Sequence, residues 1–491
     1  MQRLAPDNLP TTHADAVTLP AVDPRSISTG LVHLGIGAFH RAHQAVYTEL
    51  AAVTTGDDRW GTFAVTGRSA TVVDQLAPQG CLYGVLTKST DRSTLHVVGS
   101  IRGVVSGGGD PGETLAAIAS PDVHAVTLTI TEKGYPRTSD GGLALGTPAA
   151  DADITAVRAA LVGGGSPVRS GSSVGLLAAG LAARFAAGAD PVSVVSCDNL
   201  PANGSQLGRL VHELAGAVGV DDFAGWLRGQ VTFPATMVDR IVPATTDQDR
   251  AEAADLLQLY DAGLVVAEPF GQWVIEDDFA ADRPAWELAG ATLATDVAPY
   301  ETAKLRLLNG THSLLAYLGA LHGHRTIADA VADERLRDAA LGLQREDAIP
   351  TLEAPPGTDL DAYGDQILAR FANPYLRHTT VQVAMDGSQK LPIRILDTAK
   401  DRLRSGAVPH HCALAVAAWI VYLHRGRDIH GRELPLSDPL ATLLRERAAG
   451  PEPGLVERML GIREIFDDEI AGQDAFRDAV AGATESLLKL H

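Results

Sequence analysis

The sequence predicts an α/β protein: an N-terminal doubly wound, mostly parallel sheet with helices on both faces, followed by a mainly α-helical domain. Short runs rich in Val, Ile and Thr alternate with helical segments in the first half, as parallel strands and crossover helices do. Beyond about residue 285 the strand signal fades and helical periodicity dominates. The length of 491 residues also favours more than one domain. We therefore expect one domain over residues 29–285 and a second over residues 296–491.

The predicted elements follow this division. The first strand, at residues 31–37, runs into a Gly-rich turn that opens an amphipathic helix over residues 41–52. The other predicted strands are apolar, β-branched runs of the kind buried on both faces of a parallel sheet, and they lie at residues 63–66, 95–99, 125–130 and 192–196. Helices are predicted in the second half at residues 300–323, 324–345, 359–371, 413–425 and 455–491.

The charge balance limits the class of partner. The chain has 40 Lys and Arg against 60 Asp and Glu, a net charge of −20. Nucleic acids and anionic membranes both need clustered positive charge, so neither is expected as a partner. A small anionic substrate remains compatible with this balance, because it needs only a local Arg or Lys.

Cysteine and histidine spacing predicts neither disulfides nor a metal. Cys81, Cys197 and Cys412 lie far apart, which is typical of a reducing cytoplasm. Histidine pairs at 40/43, 322/324 and 410/411 have no carboxylate or cysteine at a familiar metal spacing. We see no apolar N-terminal signal and no apolar run of about 20 residues, so a cytoplasmic protein is expected.

The turn after the first strand is the candidate cofactor site. Residues 35–43 read GIGAFHRAH, and Gly35 and Gly37 would permit a tight turn and close approach of a pyrophosphate, as in a Rossmann-type domain. His40 stands where the third glycine of that fingerprint would fall. At the end of the second strand, Arg68 replaces the usual acidic residue, so NADP is not excluded. The candidate cofactor-binding residues are Leu34, Gly35, Ile36, Gly37, Ala38, Phe39, His40 and Arg68.

The run KLRLLNGTH at residues 304–312 is the candidate catalytic segment. In an α-helix, Asn309 would lie about 140° and His312 about 80° from Lys304, so the three share one face. An amine, an amide and an imidazole on one face suit removal of a proton from an alcohol and stabilisation of the alkoxide. A solvated helix face explains the same spacing.

Two further polar segments follow apolar runs. Residues 196–204 (SCDNLPANG) end a predicted buried strand, where sites of α/β proteins are built, although Asp and Asn also favour a helix-capping turn there. Within residues 236–241 (TMVDRI), Asp239 and Arg240 stand side by side between apolar residues. They fit either a buried ion pair or a substrate contact.

Taken in order, these motifs resemble those of the long-chain mannitol dehydrogenase family. The matching motifs lie at residues 35–43, 131–135, 196–199, 236–241, 268–277 and 304–312, and the resemblance extends from about residue 29 to 480. It implies a metal-independent, NAD(P)-dependent oxidoreductase that acts on polyols or sugar acids, with a Rossmann-type domain and a helical substrate domain. Family members are often monomers, so a monomer is expected.

The resemblance also implies roles for individual residues. Lys304 corresponds to the general acid/base, and Asn199 and Asn309 to the amides that hold the reacting oxygen. His312 and Asp239 correspond to substrate or supporting positions, and Lys390 to a substrate-contacting lysine. A free lysine has a pKa of about 10.4, so desolvation or a nearby cation must lower the pKa of a lysine that acts as a base near neutral pH.

Residues 373–394 bear on the substrate. Polyol dehydrogenases of the family tend to have Arg where Gln382 stands, whereas Gln382 together with Arg394 resembles the fructuronate reductase (D-mannonate oxidoreductase) branch. A keto-uronate has a carboxylate, for which Lys390, Arg377 or Arg394 would be counterions unless they pair with local Asp residues. The candidate substrate-binding residues are Asp239, Arg240, Arg377, His378, Gln382, Lys390 and Arg394.

Three functions therefore follow from the sequence. The first is NAD-dependent interconversion of a keto sugar acid and its aldonate. The second is oxidation of a polyol, as by a mannitol 2-dehydrogenase. The third, a catalytically silent NAD-binding sensor, is disfavoured because Lys304, Asn199 and Asn309 are all present.

Overall fold

The computed structural model describes residues 1–11, 13–67, 69–138, 140–163 and 166–490. The chain divides into two compact units, Met1–Val297 and Ala298–His491. Within the described residues, no helix is long and apolar enough to cross a membrane.

The first unit is built on a six-stranded, fully parallel sheet. Its strands lie in the spatial order Ile101–Val105, Gly61–Val65, Thr29–Leu34, Ala125–Leu128, Val192–Ser196 and Val231–Thr232. Numbered along the chain, this order is 3-2-1-4-5-6, the order of a Rossmann-type domain. The predicted α/β class is confirmed.

Both faces of this sheet are covered, as the apolar strand runs predict. Val32 and Val126 pack on one face against the long helices of the unit. Their neighbours Leu31 and Ala125 point to the other face, where they join a cluster that contains Trp273. Full burial of an aliphatic side chain contributes about 1.5–3 kcal/mol, so this two-sided core fixes the strand register. The helices of the unit are Ala38–Ala42, Gln44–Thr55, Thr71–Leu76, Gly112–Ala119, Pro148–Val162, Ser173–Ala186, Asn203–Val218, Asp221–Gln230 and Asp247–Leu257, with single 3-10 turns at Pro6–Asn8, Ala77–Gln79, Glu132–Gly134 and Trp286–Ala289.

One predicted strand belongs to a different sheet. The run at 95–99 falls in strand Ser93–Val98, which pairs antiparallel with Tyr83–Lys88 instead of joining the parallel sheet. A short turn, in which the N–H of Ser89 donates to the carbonyl oxygen of Arg92 at 3.1 Å, brings these two strands together. The position in the parallel sheet is taken by Ile101–Val105. The two smaller sheets have the orders Val17–Thr18, Ser93–Val98, Tyr83–Lys88, Val265–Ala267 and Thr236–Asp239, Gln272–Glu276, Thr292–Ala294.

The second unit is helical throughout. Its central helix, His410–Arg425, is buried along most of its length, as expected for a helix that is apolar on all sides. Trp419 of this helix packs against Phe466, with ring centroids 6.1 Å apart. The α-helices are Ala298–Ala303, Gly310–Leu321, Ile327–Ala332, Glu334–Gly342, Leu360–Phe371, Thr380–Val383, Gly387–Leu391, Asp397–Arg404, His410–Arg425, Ala441–Ala448, Leu455–Leu460, Asp468–Ala471 and Asp474–Leu488; Lys304–Asn309, Leu343–Ala348 and Pro392–Leu396 are π-helical, and Ile349–Thr351 and Pro374–Leu376 are 3-10 turns.

The helical predictions for the second unit are corrected in several places. Residues 324–345 fall in the α-helices Ile327–Ala332 and Glu334–Gly342 and the start of a π-helix, and the helices Thr380–Val383, Gly387–Leu391 and Asp397–Arg404 were not predicted. The segment predicted as one helical stretch over 455–491 is three helices, and the helix Ala441–Ala448 was not predicted. Gly461 ends the first of the three, and Asp467 caps the second by accepting the N–H of Ile470 at 3.2 Å. Helical periodicity continues across such breaks, so only the glycine and the capping aspartate mark them.

Candidate active site

The turn after strand Thr29–Leu34 has the geometry of a dinucleotide-binding turn. Gly35 has φ +98°, and a Cβ at this position would lie 2.2 Å from the carbonyl oxygen of Thr129, so only glycine fits. Gly37 is the N-cap of the next helix and has no side-chain cap. A Cβ there would meet only the Gly35 carbonyl oxygen, at 3.7 Å, so the space beside Gly37 is open.

The remaining predicted cofactor residues divide into two groups. Leu34 and Ile36 are buried, and the N–H of Ile36 donates to the Val65 carbonyl oxygen at 3.0 Å, which holds the turn to the second strand. Ala38 and Phe39 begin the helix that Gly37 caps. Arg68 lies outside the described residues, so its assignment stays a prediction.

His40 lies in the short helix that follows the turn. It is buried and stacks on His33, with ring centroids 3.4 Å apart. His33 bonds through its two ring nitrogens to the hydroxyls of Thr127 and Thr129, at 2.7 and 2.9 Å. Burial lowers the pKa of His33 to about 3, and burial followed by the nearby His33 holds the pKa of His40 well below its usual value. Both rings are therefore neutral near neutral pH. His33 contacts the hydroxyl of Thr129, which donates to the carbonyl oxygen of Gly35 in the turn.

This neutral pair makes the stability of the protein sensitive to acid. The unfolded chain protonates both histidines below about pH 6.5, whereas folded His33 does so only near pH 3. We expect the free energy of unfolding to be fully present above pH 6.5 and to fall as pH decreases from 6.5 toward 3. The slope should be about 1.4 kcal/mol per pH unit for each histidine.

The measurement is urea unfolding of the cofactor-free protein between pH 7.5 and 5. His40→Leu should reduce the slope below pH 6.5 by one histidine's share. His13→Leu, which replaces an exposed histidine, should leave the slope unchanged. Equal slopes in the wild type and His40→Leu would contradict the neutral state of His40.

The carboxyl end of strand Val192–Ser196 carries the predicted Asn199, which is exposed. The residue before it, Asp198, is buried, and its carboxylate accepts the N–H of Ile130 at 3.1 Å, the N–H of Thr131 at 2.7 Å and the hydroxyl of Tyr135 at 2.7 Å. Two motifs far apart in sequence are thus one cluster. Neither Asp198 nor Tyr135 is a predicted site residue, and the only signal for them in the sequence is that both belong to these motifs.

Residues 196–204 do lead into a helix, but the Asn203 side chain bonds to the main chain of Asp198 and Thr236 and does not cap that helix. Asn203 begins the following helix, but its side-chain amide donates to the carbonyl oxygens of Asp198 and Thr236, each at 2.9 Å. In return, the N–H of Thr236 donates to the Asn203 side-chain oxygen at 2.9 Å. This segment is therefore tied to strand Thr236–Asp239, at whose end the predicted Asp239 is buried.

Arg240 has a structural environment. Its guanidinium donates twice to the carbonyl oxygen of Glu268, at 3.1 and 3.0 Å, and also to the carbonyl oxygen of Ala42 at the end of the helix that follows the Gly-rich turn. Main-chain carbonyls thus take up its donors. These contacts favour a role in holding the turn; a substrate contact stays a prediction.

In the second unit, the candidate catalytic segment is a π-helix, not the α-helix that the sequence predicts. The N–H of Gly310 donates to the carbonyl oxygen of Leu305, five residues earlier, and Lys304–Asn309 forms a π-helical insertion. Residues five apart stand above one another in such a segment, so Lys304 and Asn309 share a face more closely than in an α-helix. Both are buried, with 8% and 7% of their surface exposed.

Three polar atoms of residues 304–312 are buried and have no hydrogen-bond partner among the described residues: Nδ2 of Asn309, Oγ1 of Thr311 and Nε2 of His312. The His312 ring is fixed by stacking on Phe371 and His378, with centroids 4.6 and 5.6 Å away. A buried polar group without a partner costs about 1–3 kcal/mol. The arrangement therefore fits donors kept for an incoming oxygen atom.

Basic side chains lie near His312, and burial lowers the pKa of one of them, His378. Burial, followed by the charges of His378, Arg394, Lys390 and Arg370, holds the pKa of His312 well below its usual value. We call these four residues the basic cluster. Arg370, at the end of helix Leu360–Phe371, was not predicted, because nothing in the sequence marks a buried arginine on an otherwise amphipathic helix.

Of the three predicted counterions, Lys390 and Arg394 belong to the basic cluster and Arg377 does not. Lys390 donates to the Val383 carbonyl oxygen at 3.2 Å, and Arg394 to the Ser313 hydroxyl at 3.3 Å. Arg377, in contrast, is exposed. Gln382 is also exposed, and its side-chain oxygen accepts the Thr379 hydroxyl at 3.0 Å. The described residues contain no cluster of three or more His, Cys, Asp or Glu side chains that could hold a metal ion.

Comparison with known proteins covers both units. Residues 29–288 match the family model of the mannitol dehydrogenase Rossmann domain, and residues 296–488 that of the mannitol dehydrogenase C-terminal domain. The D-mannonate oxidoreductase of Escherichia coli is 40% identical to this chain, and the match covers 99% of this chain and 98% of that protein. The mannitol 2-dehydrogenase of Pyrenophora tritici-repentis is 33% identical, with 96% and 82% covered. The structure of Pseudomonas fluorescens mannitol 2-dehydrogenase in a ternary complex with NAD and D-mannitol matches with a TM-score of 0.85 at 33% identity, over 99% of this chain and 97% of that one.

Proposed function

Because the chain belongs to the mannitol dehydrogenase family, as its ordered motifs predict, we propose that it interconverts a keto sugar acid and its aldonate with NAD as cofactor. The observation that carries the choice of substrate is the basic cluster around His312. Guanidinium and ammonium groups bind carboxylates through charge-assisted hydrogen bonds. The similarity to a D-mannonate oxidoreductase over nearly the whole chain supports the same choice.

The proposed cofactor fits the residues of the Gly-rich turn. Gly35 allows the close turn, and the uncapped helix start at Gly37 offers N–H groups to a pyrophosphate. Bound NAD would accept or supply the hydride at the carbinol carbon. The protein's own residues bind and orient the substrate and transfer the proton.

Lys304 is the proposed proton carrier. In the oxidative direction its amine accepts the proton of the substrate hydroxyl, and in the reductive direction the ammonium returns it to the carbonyl oxygen. Asn309 donates its free Nδ2–H to that oxygen, and His312, held neutral, offers Nε2 to a neighbouring substrate hydroxyl. The role of Asn199 as a second amide stays a prediction.

A polyol such as mannitol is the second candidate substrate. The similarity to mannitol 2-dehydrogenases of 33% identity over most of the chain supports it. A neutral polyol would leave the charge of the basic cluster without an anionic partner in the substrate. A direct comparison of the two substrate classes decides between them.

The test compares kcat/KM for fructuronate and fructose with NADH. We expect fructuronate to be preferred by about 10–100-fold, because a hydrogen bond to a charged group contributes about 1.5–3 kcal/mol. Added salt should raise the KM for fructuronate and leave that for fructose nearly unchanged. A preference for fructose would favour the polyol dehydrogenase, and NADH binding without turnover of either substrate would favour the silent sensor. Repeating the assay with NADPH establishes the cofactor preference.

A further inference from the structure

The carboxylate of Asp198 is buried, accepts three hydrogen bonds and has no part in the proposed reaction. One oxygen, Oδ1, accepts the N–H of Thr131 at 2.7 Å. The other, Oδ2, accepts the N–H of Ile130 at 3.1 Å and the hydroxyl of Tyr135 at 2.7 Å. Tyr135 also contacts the Ser196 hydroxyl at 2.8 Å. All three donors belong to one loop, so a single side chain determines the path of residues 130–135.

This loop has a backbone conformation that its sequence does not favour. Thr131 has φ +63° and ψ 162°, a region that glycine alone occupies readily. A β-branched residue stays there only when its surroundings hold it. Its N–H donates to the Asp198 carboxylate at 2.7 Å, and its carbonyl oxygen accepts the N–H of Gly134, within the loop, at 2.9 Å.

The loop lies beside the proposed cofactor turn. It follows strand Ala125–Leu128, which pairs with Thr29–Leu34 at the point where the strand order reverses, and ligands of such sheets bind at this crevice. Thr129, at the start of the loop, donates its hydroxyl to the Gly35 carbonyl oxygen at 2.9 Å. A shift of the loop would therefore reach Gly35 directly.

Asp198 is itself anchored on its other side. Its main-chain carbonyl oxygen accepts the Asn203 amide at 2.9 Å and the N–H of Leu200 at 2.9 Å. Burial raises the pKa of Asp198, while the three donors of the loop favour its charged form. The loop donors therefore stabilise the carboxylate, and the carboxylate in turn orders the loop.

We propose that Asp198 is a positioning residue for the cofactor: its carboxylate holds Thr131 in the strained conformation that shapes the loop against the Gly35 turn. The inference rests on the proposed binding of NAD. The loop is then formed before the cofactor arrives, so the cofactor does not have to order it. Asp198 acts through the loop and is not assigned a contact with substrate.

The test is a double-mutant cycle read out as the dissociation constant for NADH, measured by fluorescence titration. Asp198→Asn replaces one acceptor oxygen by a donor and should raise the Kd by about tenfold or more, equivalent to about 1.4 kcal/mol. In the Thr131→Gly background the same substitution should raise the Kd by less than about threefold, because glycine adopts the loop conformation without strain. Tyr135→Phe, which removes one donor and keeps the ring, should raise the Kd in the same direction and serves if Asp198→Asn does not fold.

Asp153→Asn is the matched control. Asp153 is also buried and accepts the N–H groups of Gly171 and Ser172, at 2.7 and 3.0 Å, but it holds a different loop. Its substitution should lower the melting temperature and leave the Kd for NADH within about twofold of the wild type. The proposal is overturned if Asp198→Asn and Tyr135→Phe both leave the Kd unchanged, if Asp153→Asn raises it equally, or if Thr131→Gly does not reduce the effect. Failure of the wild type to bind NADH would instead overturn the proposed function, and this inference with it.

Discussion

Lys304→Met is expected to lower kcat by about 10²–10⁴-fold, the usual contribution of a positioned general acid or base. Methionine keeps the length and apolar stem of the lysine and removes the amine. Since Lys304 is 8% exposed, the apolar replacement should not lower stability through lost solvation. The Kd for NADH should stay within about twofold of the wild type, because the proposed cofactor residues lie in the other unit of the chain.

The measurement pairs steady-state kinetics in both directions with a fluorescence titration of NADH. Lys400→Met is the matched control, since Lys400 lies in the same unit but pairs with Asp467 at 2.7 Å. It should retain wild-type kcat. A kcat for Lys304→Met within tenfold of the wild type would remove Lys304 from the proposed mechanism. Loss of NADH binding together with kcat would indicate a structural role instead.

The Gly-rich turn after the first strand could be predicted because its determinants are local. The requirement for glycine at residue 35 follows from a strand, a tight turn and a helix that are contiguous in sequence. The sequence shows that His40 replaces the third glycine of the fingerprint. It does not show that His40 stacks on His33, a residue of the preceding strand. The substitution of an imidazole for a glycine there is explained only by that neighbour.

The segment that carries the predicted catalytic residues forms a π-helix where the sequence predicts an α-helix. Periodicity of 100° per residue places Lys304 and Asn309 on one broad face, and the π-helical insertion brings them closer to alignment. No residue type marks a π-helical insertion, because it is set by how the flanking helices pack. One contributor is Gly310, where a Cβ would lie 2.9 Å from the carbonyl oxygen of Arg394.

Long-range pairing accounts for the other differences. The strand at Ser93–Val98 has the composition expected of a parallel strand, but its partner is the hairpin strand Tyr83–Lys88. Likewise, the bonds from Asp198 to Thr131 and Tyr135 join residues more than 60 positions apart. Composition indicates that a segment is a buried strand or a polar turn, and only packing determines which segments meet.

Arg394→Met is expected to reduce kcat/KM for fructuronate by about 10–100-fold and that for fructose by less than about threefold. The guanidinium belongs to the basic cluster and donates to the Ser313 hydroxyl, so it is held in place for a bidentate contact with a carboxylate. Loss of a hydrogen bond to a charged group costs about 1.5–3 kcal/mol, and only the uronate offers that group.

Arg377→Met provides the matched control for this charge. Arg377 lies in the same segment of the sequence but, unlike the half-buried Arg394, is exposed. We expect it to change kcat/KM for either substrate by less than threefold, as does a screened surface charge. Equal losses for fructuronate and fructose in Arg394→Met would mean that the guanidinium supports the fold of the site and does not select the substrate. A larger loss in Arg377→Met would move the carboxylate contact to the exposed arginine. Selective loss in Arg394→Met alone would support the sugar-acid assignment, because only that substrate offers a carboxylate to the half-buried Arg394.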